Sequence, residues 1–288
     1  MLQRTIYKIT QSPSHQGFLG AGHTASAVFE GIPFEETDPF ILFMNDDVDY
    51  KGGSPVGGAH PHAGFETLTL VLKGNKSDWA TGTFEVMTAG KGIVHTEEMS
   101  EPQHIHILQV WLALPPDKRW AQPFWQKLTL ENVPTLKTDT SEIRVYSGSS
   151  NGLTSPIKDY TPLTVVDFQL KAHQTVVQAL PANQNGLLYV LQGSVSVGNK
   201  IIQAGQAGWL DKRSEQGNSE LIVESQQEET RFILYAAQPH NVPVVSYGPF
   251  IADKTEDIQR LYKEFRNGEM PHLNDLPKDQ KVEFIRPS

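Results

Sequence analysis

The stretch "GGAHPHAGFETLTLVLKG", residues 57–74, joins two closely spaced histidines to an apolar run bounded by glycines. The β-branched and apolar run "TLTLVLKG", residues 67–74, favours a β-strand. Side chains on a strand alternate between its two faces, so His60 and His62 share one face. Pro61 has no backbone N–H to donate, which predicts that this segment begins a strand or lies at a sheet edge.

A second pair of potential ligands follows about thirty residues later, in "GKGIVHTEEMS", residues 90–100. His95 and Glu97 again stand two residues apart and share a strand face, whereas Glu98 points the other way. Two such pairs on neighbouring strands would offer three imidazoles and one carboxylate, leaving up to two positions open on a six-coordinate ion. This donor set is typical of an open metal site rather than a closed structural one.

Glu66 is a competing carboxylate, because it follows His62 by four residues and a continuous strand would place both on one face. Glu66 is therefore, like Glu97, a candidate ligand or pocket acid. A further H-x-H pair, His104 and His106, lies in the strand-like "HIHIL". One of these two histidines could face a pocket, but we expect a structural, hydrogen-bonded role.

Length, charge and cysteine content limit the class of protein. The chain has 288 residues, a net charge of −9 and no cysteine. Its length suggests two domains, and the missing cysteines exclude a disulfide framework and a thiolate metal site. The acidic charge argues against direct binding to nucleic acid or to an anionic membrane. The N-terminus lacks a secretory pattern, so we expect a cytoplasmic protein. We also expect it to be a monomer without a membrane segment.

Short β-branched or aromatic segments bounded by Gly, Pro or Asn dominate the chain, which predicts an all-β sandwich or barrel. One helix is predicted near the C-terminus, at about residues 255–267 in "KTEDIQRLYKEFRNGEMP". Its apolar stripe consists of Ile258, Leu261, Tyr262 and Phe265, Thr255 is the predicted cap, and Gly268 ends it.

A weak internal repeat organises the strands. "LTLVLKGN" at 68–75 resembles "LLYVLQGS" at 187–194, and "VMTAGKGIV" at 86–94 resembles "IIQAGQAGW" at 201–209. Two copies of one β-unit are the simplest interpretation. The second copy has other residues where the first has His60, His62, Glu66, His95 and Glu97, namely Ala179, Pro181, Asn185, Leu210 and Lys212. The ligand pattern is thus confined to the first copy.

The polar stretch "TDTSEIRVYSGSSNGLTSP", residues 138–156, has a linker-like Ser and Gly content. It predicts a boundary between an N-terminal domain at 1–140, which carries the metal ligands, and a C-terminal domain at 141–288, which lacks them and ends in the helix.

"HPHAGFET", "MTAGKGIVHTEE" and "LQVWLALP", followed by "PVVSYGPFIADKTEDIQ", resemble the pirin family of the bicupin superfamily over nearly the whole chain. The resemblance implies two tandem cupin barrels of the double-stranded β-helix, or jelly-roll, type with a C-terminal helix. It also implies one divalent ion, most typically Fe(II), held by His60, His62, His95 and Glu97. Such a set of ligands also accepts Mn, Ni, Cu or Zn.

Two functions follow from this resemblance. Some pirins are similar to quercetin 2,3-dioxygenases, which implies an oxidoreductase that combines O₂ with quercetin or a related flavonol or phenolic substrate. Glu97, or Glu66 if it is free, would then serve as general base. The eukaryotic pirin is a nuclear, iron-dependent transcriptional co-regulator. This implies the alternative of an iron-binding, redox-responsive protein that binds a protein partner without turnover.

Overall fold

Strands make up most of the regular structure. The structure, a computed structural model, describes residues 2–75 and 79–285. The strands up to residue 128 are β1 (Leu2–Gln3), β2 (Ile6–Gln11), β3 (His15–Gln16), β4 (His23–Ala27), β5 (Phe40–Tyr50), β6 (His60–His62), β7 (Phe65–Lys73), β8 (Phe84–Thr88), β9 (Ile93–His95), β10 (Gln103–Ala113) and β11 (Phe124–Leu128).

The remaining strands are β12 (Thr135–Lys137), β13 (Ser141–Ser147), β14 (Ser149–Ser150), β15 (Leu153–Thr154), β16 (Leu163–Leu170), β17 (Thr175–Pro181), β18 (Asn185–Gln192), β19 (Ser194–Val197), β20 (Lys200–Gln203), β21 (Gln206–Leu210), β22 (Asn218–Ser225), β23 (Thr230–Ala237), β24 (Val245–Tyr247), β25 (Phe250–Ala252) and β26 (Lys281–Phe284). The helices are α1 (Phe34–Thr37), α2 (Thr255–Arg266) and the 3₁₀ turns Pro116–Lys118, Leu273–Asp275 and Lys278–Gln280. Among residues 2–75 and 79–285, no helix has the length and apolar content that crossing a membrane requires.

The chain forms two compact units, each built from two segments. The smaller unit comprises Met1–Ser12 and Val133–Pro239, and the larger unit comprises Pro13–Asn132 and His240–Ser288. This division differs from the predicted domains at 1–140 and 141–288. The physical reason is strand pairing, since β2 pairs with β21 and so completes a sheet of the smaller unit. The segment after residue 240, including α2, instead packs in the larger unit.

The smaller unit has a filled apolar interior. One sheet has the order β12-β13-β16-β23-β18-β21-β2, and a second has the order β1-β22-β19-β20 with β17 on β22. Because strand side chains alternate, one face of each strand supplies apolar groups to the core. Buried members of this core include Val166, Phe168, Leu188, Val190, Phe232 and Leu234. The interior of this barrel is therefore occupied by protein side chains.

The larger unit contains an eight-stranded sheet in the order β26-β11-β8-β7-β10-β5-β4-β3. Its strand β7 is buried along its whole length except at Lys73, as expected of a central strand in a folded sheet. Strands β6 and β9 form a separate two-stranded ribbon. This ribbon carries the three histidines predicted as metal ligands, His60, His62 and His95.

Helix α2 confirms the predicted C-terminal helix. It spans Thr255–Arg266 and buries Ile258 and Leu261, which pack with Ala63 and Phe250 in one apolar cluster. The predicted cap is shifted by one residue, since Lys254 is the N-cap and Thr255 lies in the first turn. Such a difference is ordinary at helix ends.

The segment after residue 240 also braces the β6–β9 ribbon. The N–H of Ile251 donates to the carbonyl of Ala63 at 3.0 Å, and the N–H of Val94 donates to the carbonyl of Pro271 at 2.9 Å. Strand β9 and the residue that directly follows β6 therefore hydrogen-bond to chain that is distant in sequence.

Gly64 turns the chain between β6 and β7. Its φ is +86°, a conformation that side chains with a Cβ rarely adopt. A Cβ at this position would lie 1.9 Å from the carbonyl oxygen of Ile251. Glycine is required here both for the turn and for the close approach of the C-terminal segment.

We expect Gly64→Ala to lower the free energy of unfolding of the larger unit by at least about 3 kcal/mol, because backbone strain of about 1–3 kcal/mol adds to a backbone clash. The measurement is urea-induced unfolding followed by circular dichroism. Gly20→Ala is the matched control, since Gly20 also has a positive φ, of +89°, but a Cβ added there would have no atom within 4 Å. Equal losses in the two variants would contradict the importance of the close approach.

Candidate metal centre

Antiparallel pairing of β6 with β9 brings three imidazoles together. His60 lies opposite His95, and His62 lies opposite Ile93. The ring centroids are 4.9 Å apart for His60 and His62, 4.3 Å for His60 and His95, and 5.0 Å for His62 and His95. One nitrogen from each ring lies within 4.8 Å of the other two. These three side chains form a group that could bind a metal ion.

Backbone carbonyls orient two of the rings. Nδ1 of His60 lies 2.9 Å from the carbonyl oxygen of Gly58 and can donate to it, which leaves Nε2 unprotonated in the neutral ring. His62 hydrogen-bonds to the backbone of Pro249. A hydrogen bond at one imidazole nitrogen fixes the tautomer and directs the other nitrogen toward a metal.

Two buried nitrogens of the cluster lack hydrogen-bond partners in the described part of the chain. They are Nδ1 of His62 and Nε2 of His95, on side chains that are only 4% and 6% exposed. Buried polar atoms are normally paired, because an unpaired one loses its hydration without compensation. A bound cation would satisfy both lone pairs, so the residues fit a metal ion.

Burial also keeps His62 and His95 in a metal-binding protonation state. Desolvation, together with the nearby imidazoles, lowers the pKa of His62 to about 3 and the pKa of His95 to about 2. Both rings are therefore neutral near pH 7, and only a neutral imidazole offers a lone pair to a metal.

Glu97 lies at the edge of the cluster. Its Oε2 is 3.9 Å from Nε2 of His60, and its Oε1 accepts a hydrogen bond of 3.2 Å from Nε2 of Gln109. Desolvation raises the pKa of Glu97, and the neighbouring imidazole of His60 opposes that rise. The carboxylate thus lies beside His60, outside the group of three ring nitrogens that lie within 4.8 Å of one another.

Glu66 lies on β7, after the turn at Gly64. The prediction that it shares a strand face with His60 and His62 is therefore wrong. The chain turns at Gly64, so His62 and Glu66 belong to different strands. On β7, Glu66 faces away from its neighbour Thr67, which lies opposite Trp111 of β10. Its Oε1 accepts a 2.6 Å hydrogen bond from the hydroxyl of Thr88. The strand-face argument failed because it assumed an unbroken strand.

The second H-x-H pair takes the structural role that we expected. His104 and His106 occupy the face of β10 opposite to Gln109. Nε2 of His104 lies 2.8 Å from Oδ1 of Asp47, and Nε2 of His106 lies 2.6 Å from Oδ1 of Asn45. Neither histidine faces the cluster of His60, His62 and His95.

A cavity of about 730 Å³ opens beside the cluster, within the larger unit. His60, His62 and Glu97 lie on its wall, and most of the remaining wall is apolar. Its apolar side chains include Leu42, Met44, Val48, Met99, Ile105 and Ile107. This volume lies within the range of about 300–1,000 Å³ found for small-molecule sites.

Sequence reasoning missed the polar groups of this cavity, which are Gln109, Trp111, His23 and Asp46. The indole N–H of Trp111 has no hydrogen-bond partner among the described residues, and its ring stacks on Phe65 with centroids 4.4 Å apart. The signal was alternation along "QHIHILQVWLA", which places Gln109 and Trp111 on one face. Finding the other two required knowledge of which strands are neighbours.

Comparisons with known proteins agree with this architecture. Residues 23–112 match the family model "Pirin", and residues 165–271 match "Pirin C-terminal cupin domain". Pirin from Homo sapiens is 30% identical over 241 residues, which cover 80% of this chain and 82% of the human protein.

Two solved structures are similar over most of the chain. GK1651 from Geobacillus kaustophilus is 33% identical, with a TM-score of 0.74, covering 84% of this chain and 99% of that protein. Quercetin 2,3-dioxygenase from Acinetobacter baumannii is 23% identical, with a TM-score of 0.79, covering 93% of this chain and 98% of that protein. The all-β prediction of two cupin domains is confirmed, and the chain belongs to the pirin family.

Proposed function

We propose that this pirin is a metal-dependent dioxygenase that acts on a flavonol such as quercetin. The observation that carries the proposal is a group of three imidazoles, two of which, His60 and His62, lie on the wall of a largely apolar cavity of about 730 Å³. An aromatic substrate fits such a cavity, and its oxygen atoms would meet the cluster. The structural likeness to a quercetin 2,3-dioxygenase supports the same reaction class by analogy.

His60, His62 and His95 would hold the metal, with Glu97 as the proposed fourth ligand. Fe(II) is our preferred ion, although the donor types also suit Mn, Ni, Cu and Zn. When bound, such an ion supplies Lewis acidity, which lowers the pKa of a hydroxyl group beside it. The remaining steps depend on the side chains around the ion.

Glu97 is the proposed general base. Its Oε2 lies 3.9 Å from Nε2 of His60, at the edge of the cluster, where a carboxylate could accept a proton from a bound hydroxyl group. Gln109 holds Oε1 by a hydrogen bond, which leaves Oε2 on the side of His60. Glu97 would take the proton of the flavonol hydroxyl and keep it out of the apolar cavity.

Trp111 and the apolar wall would orient the substrate. The unpartnered indole N–H of Trp111 can donate to a carbonyl or hydroxyl oxygen. Such a bond would be favourable, because a buried donor without an acceptor has lost its hydration without compensation. The stacked pair of Phe65 and Trp111 offers an aromatic surface beside His62. These groups would exclude water and hold a flat, aromatic substrate against the cluster.

The alternative function, an iron-dependent regulator that binds a protein partner, would use the same cluster without turnover. It stays a prediction, since it requires a surface that changes with the state of the iron. Oxygen consumption separates the two functions.

We expect His62→Ala to weaken binding of Fe(II) by at least about a hundredfold, since it removes one of three imidazoles, and the loss of a group that only hydrogen-bonds to a ligand already costs about 10–100-fold. The measurement is metal content after anaerobic loading and desalting, with one ion per chain expected for the wild type. His104→Ala is the matched control, because His104 lies on the opposite face of the sheet and its loss should leave metal content unchanged. Full loading of His62→Ala would refute the site.

We expect the wild type loaded with Fe(II) to consume O₂ in the presence of quercetin. Glu97→Gln should lower that rate by about a hundredfold or more, the usual contribution of a general base. Glu98→Gln is the matched control, since its exposed side chain lies next in sequence and should leave the rate within about twofold. Oxygen electrode measurements decide the outcome. Full metal content without O₂ uptake would move the assignment to the regulatory function.

A further inference from the structure

A buried ionisable pair lines the same cavity, and neither the metal cluster nor the proposed base uses it. Nε2 of His23 lies 2.8 Å from Oδ1 of Asp46. The two side chains are only 2% and 11% exposed, and both lie on the cavity wall. Burying a carboxylate among apolar groups is costly unless its oxygens are satisfied, so the pair calls for a functional explanation.

The imidazole of His23 is locked in one orientation. The backbone N–H of Leu19 donates to its Nδ1 at 3.3 Å, so the proton of the neutral ring lies on Nε2 and is donated to Asp46. A Cβ on Gly17 would lie 2.2 Å from Nδ1, so the backbone at Gly17 packs directly on the ring. His23 therefore holds one oxygen of Asp46 in place and leaves the carboxylate as a hydrogen-bond acceptor.

The position of Asp46 separates it from the metal cluster along the cavity wall. Met44 of β5 lies opposite Gln109 of β10. Gln109 in turn donates a hydrogen bond to Glu97, at the edge of the cluster. Asp46 follows Met44 by two residues on the same face, roughly 7 Å further along the strand. Its neighbour across the sheet is Ile107, an apolar wall residue. Asp46 is thus a polar group at a distance from the cluster that a flat aromatic molecule can span.

We propose that Asp46, positioned by His23, accepts a hydrogen bond from a hydroxyl group on the part of the substrate that lies away from the metal. In an apolar cavity, a small number of polar groups normally fixes the orientation of the ligand and provides specificity. The pair would therefore select polyhydroxylated aromatic substrates over those that carry only the metal-binding hydroxyl. This inference rests on the proposed function, because it assumes that a flavonol binds at the cluster.

The test compares two flavonols in equilibrium binding, without turnover. Protein loaded with redox-inert Zn(II) is titrated anaerobically, by calorimetry, with quercetin and with 3-hydroxyflavone, which lacks every hydroxyl except the one next to the carbonyl. Asp46→Asn should weaken quercetin binding about tenfold, as expected for loss of a hydrogen bond to a charged acceptor, and should change 3-hydroxyflavone binding less than twofold. Asp47→Asn is the matched control, since it is the same change on the opposite face of β5.

Each outcome decides the inference. Unchanged quercetin binding in Asp46→Asn, or an equal loss for both flavonols, would overturn it, the second result indicating a purely structural pair. If Asp46→Asn fails to fold, the wild type alone must still bind quercetin at least tenfold more tightly than 3-hydroxyflavone. Binding of neither flavonol to the wild type would overturn this inference and the flavonol proposal together. Discrimination in binding without O₂ uptake would support the role of Asp46 and refute only the oxygenation.

Discussion

The pairing of the short strand His60–His62 with Ile93–His95 fixes the positions of all three imidazoles. A two-stranded ribbon of this length is not stable by itself, so its geometry depends on the chain around it. The carbonyl of Gly64 accepts a 3.1 Å hydrogen bond from the buried guanidinium of Arg119. That guanidinium also binds Asp253. The C-terminal segment and the Gly64 turn therefore hold the ribbon, and through it the candidate metal centre.

The two units show how one β-pattern serves two purposes. In the smaller unit the inward side chains are apolar and fill the interior, as the buried ring of Phe168 stacked on Phe232 illustrates. In the larger unit a cavity remains, and histidines and a glutamate lie on its wall. The buried nitrogens of His62 and His95 that lack hydrogen-bond partners cost stability, which the packed apolar neighbours must offset. Such local conflicts with folding rules are expected at functional sites.

Local pattern predicted the elements and the histidines well. Alternation identified the strands, helical spacing identified α2, and i, i+2 spacing placed His60 and His62 on one face, as the structure shows. Long-range contacts were not predictable in the same way. The chain turns at Gly64, so Glu66 lies on a different strand from His60 and His62. The pairing of β5 with β10 places Asp46 on the cavity wall. These features depend on tertiary pairing, which short-range periodicity does not encode.

The central claim is that the three-histidine cluster holds an ion that faces the apolar cavity. Anomalous X-ray diffraction at a metal absorption edge tests it most directly, on crystals soaked anaerobically with Zn(II) and quercetin. The account predicts one anomalous peak about 2.0–2.1 Å from a nitrogen of each of His60, His62 and His95, with the flavonol in the cavity beside Trp111. A peak remote from these rings, or a flavonol bound outside the cavity, would contradict it.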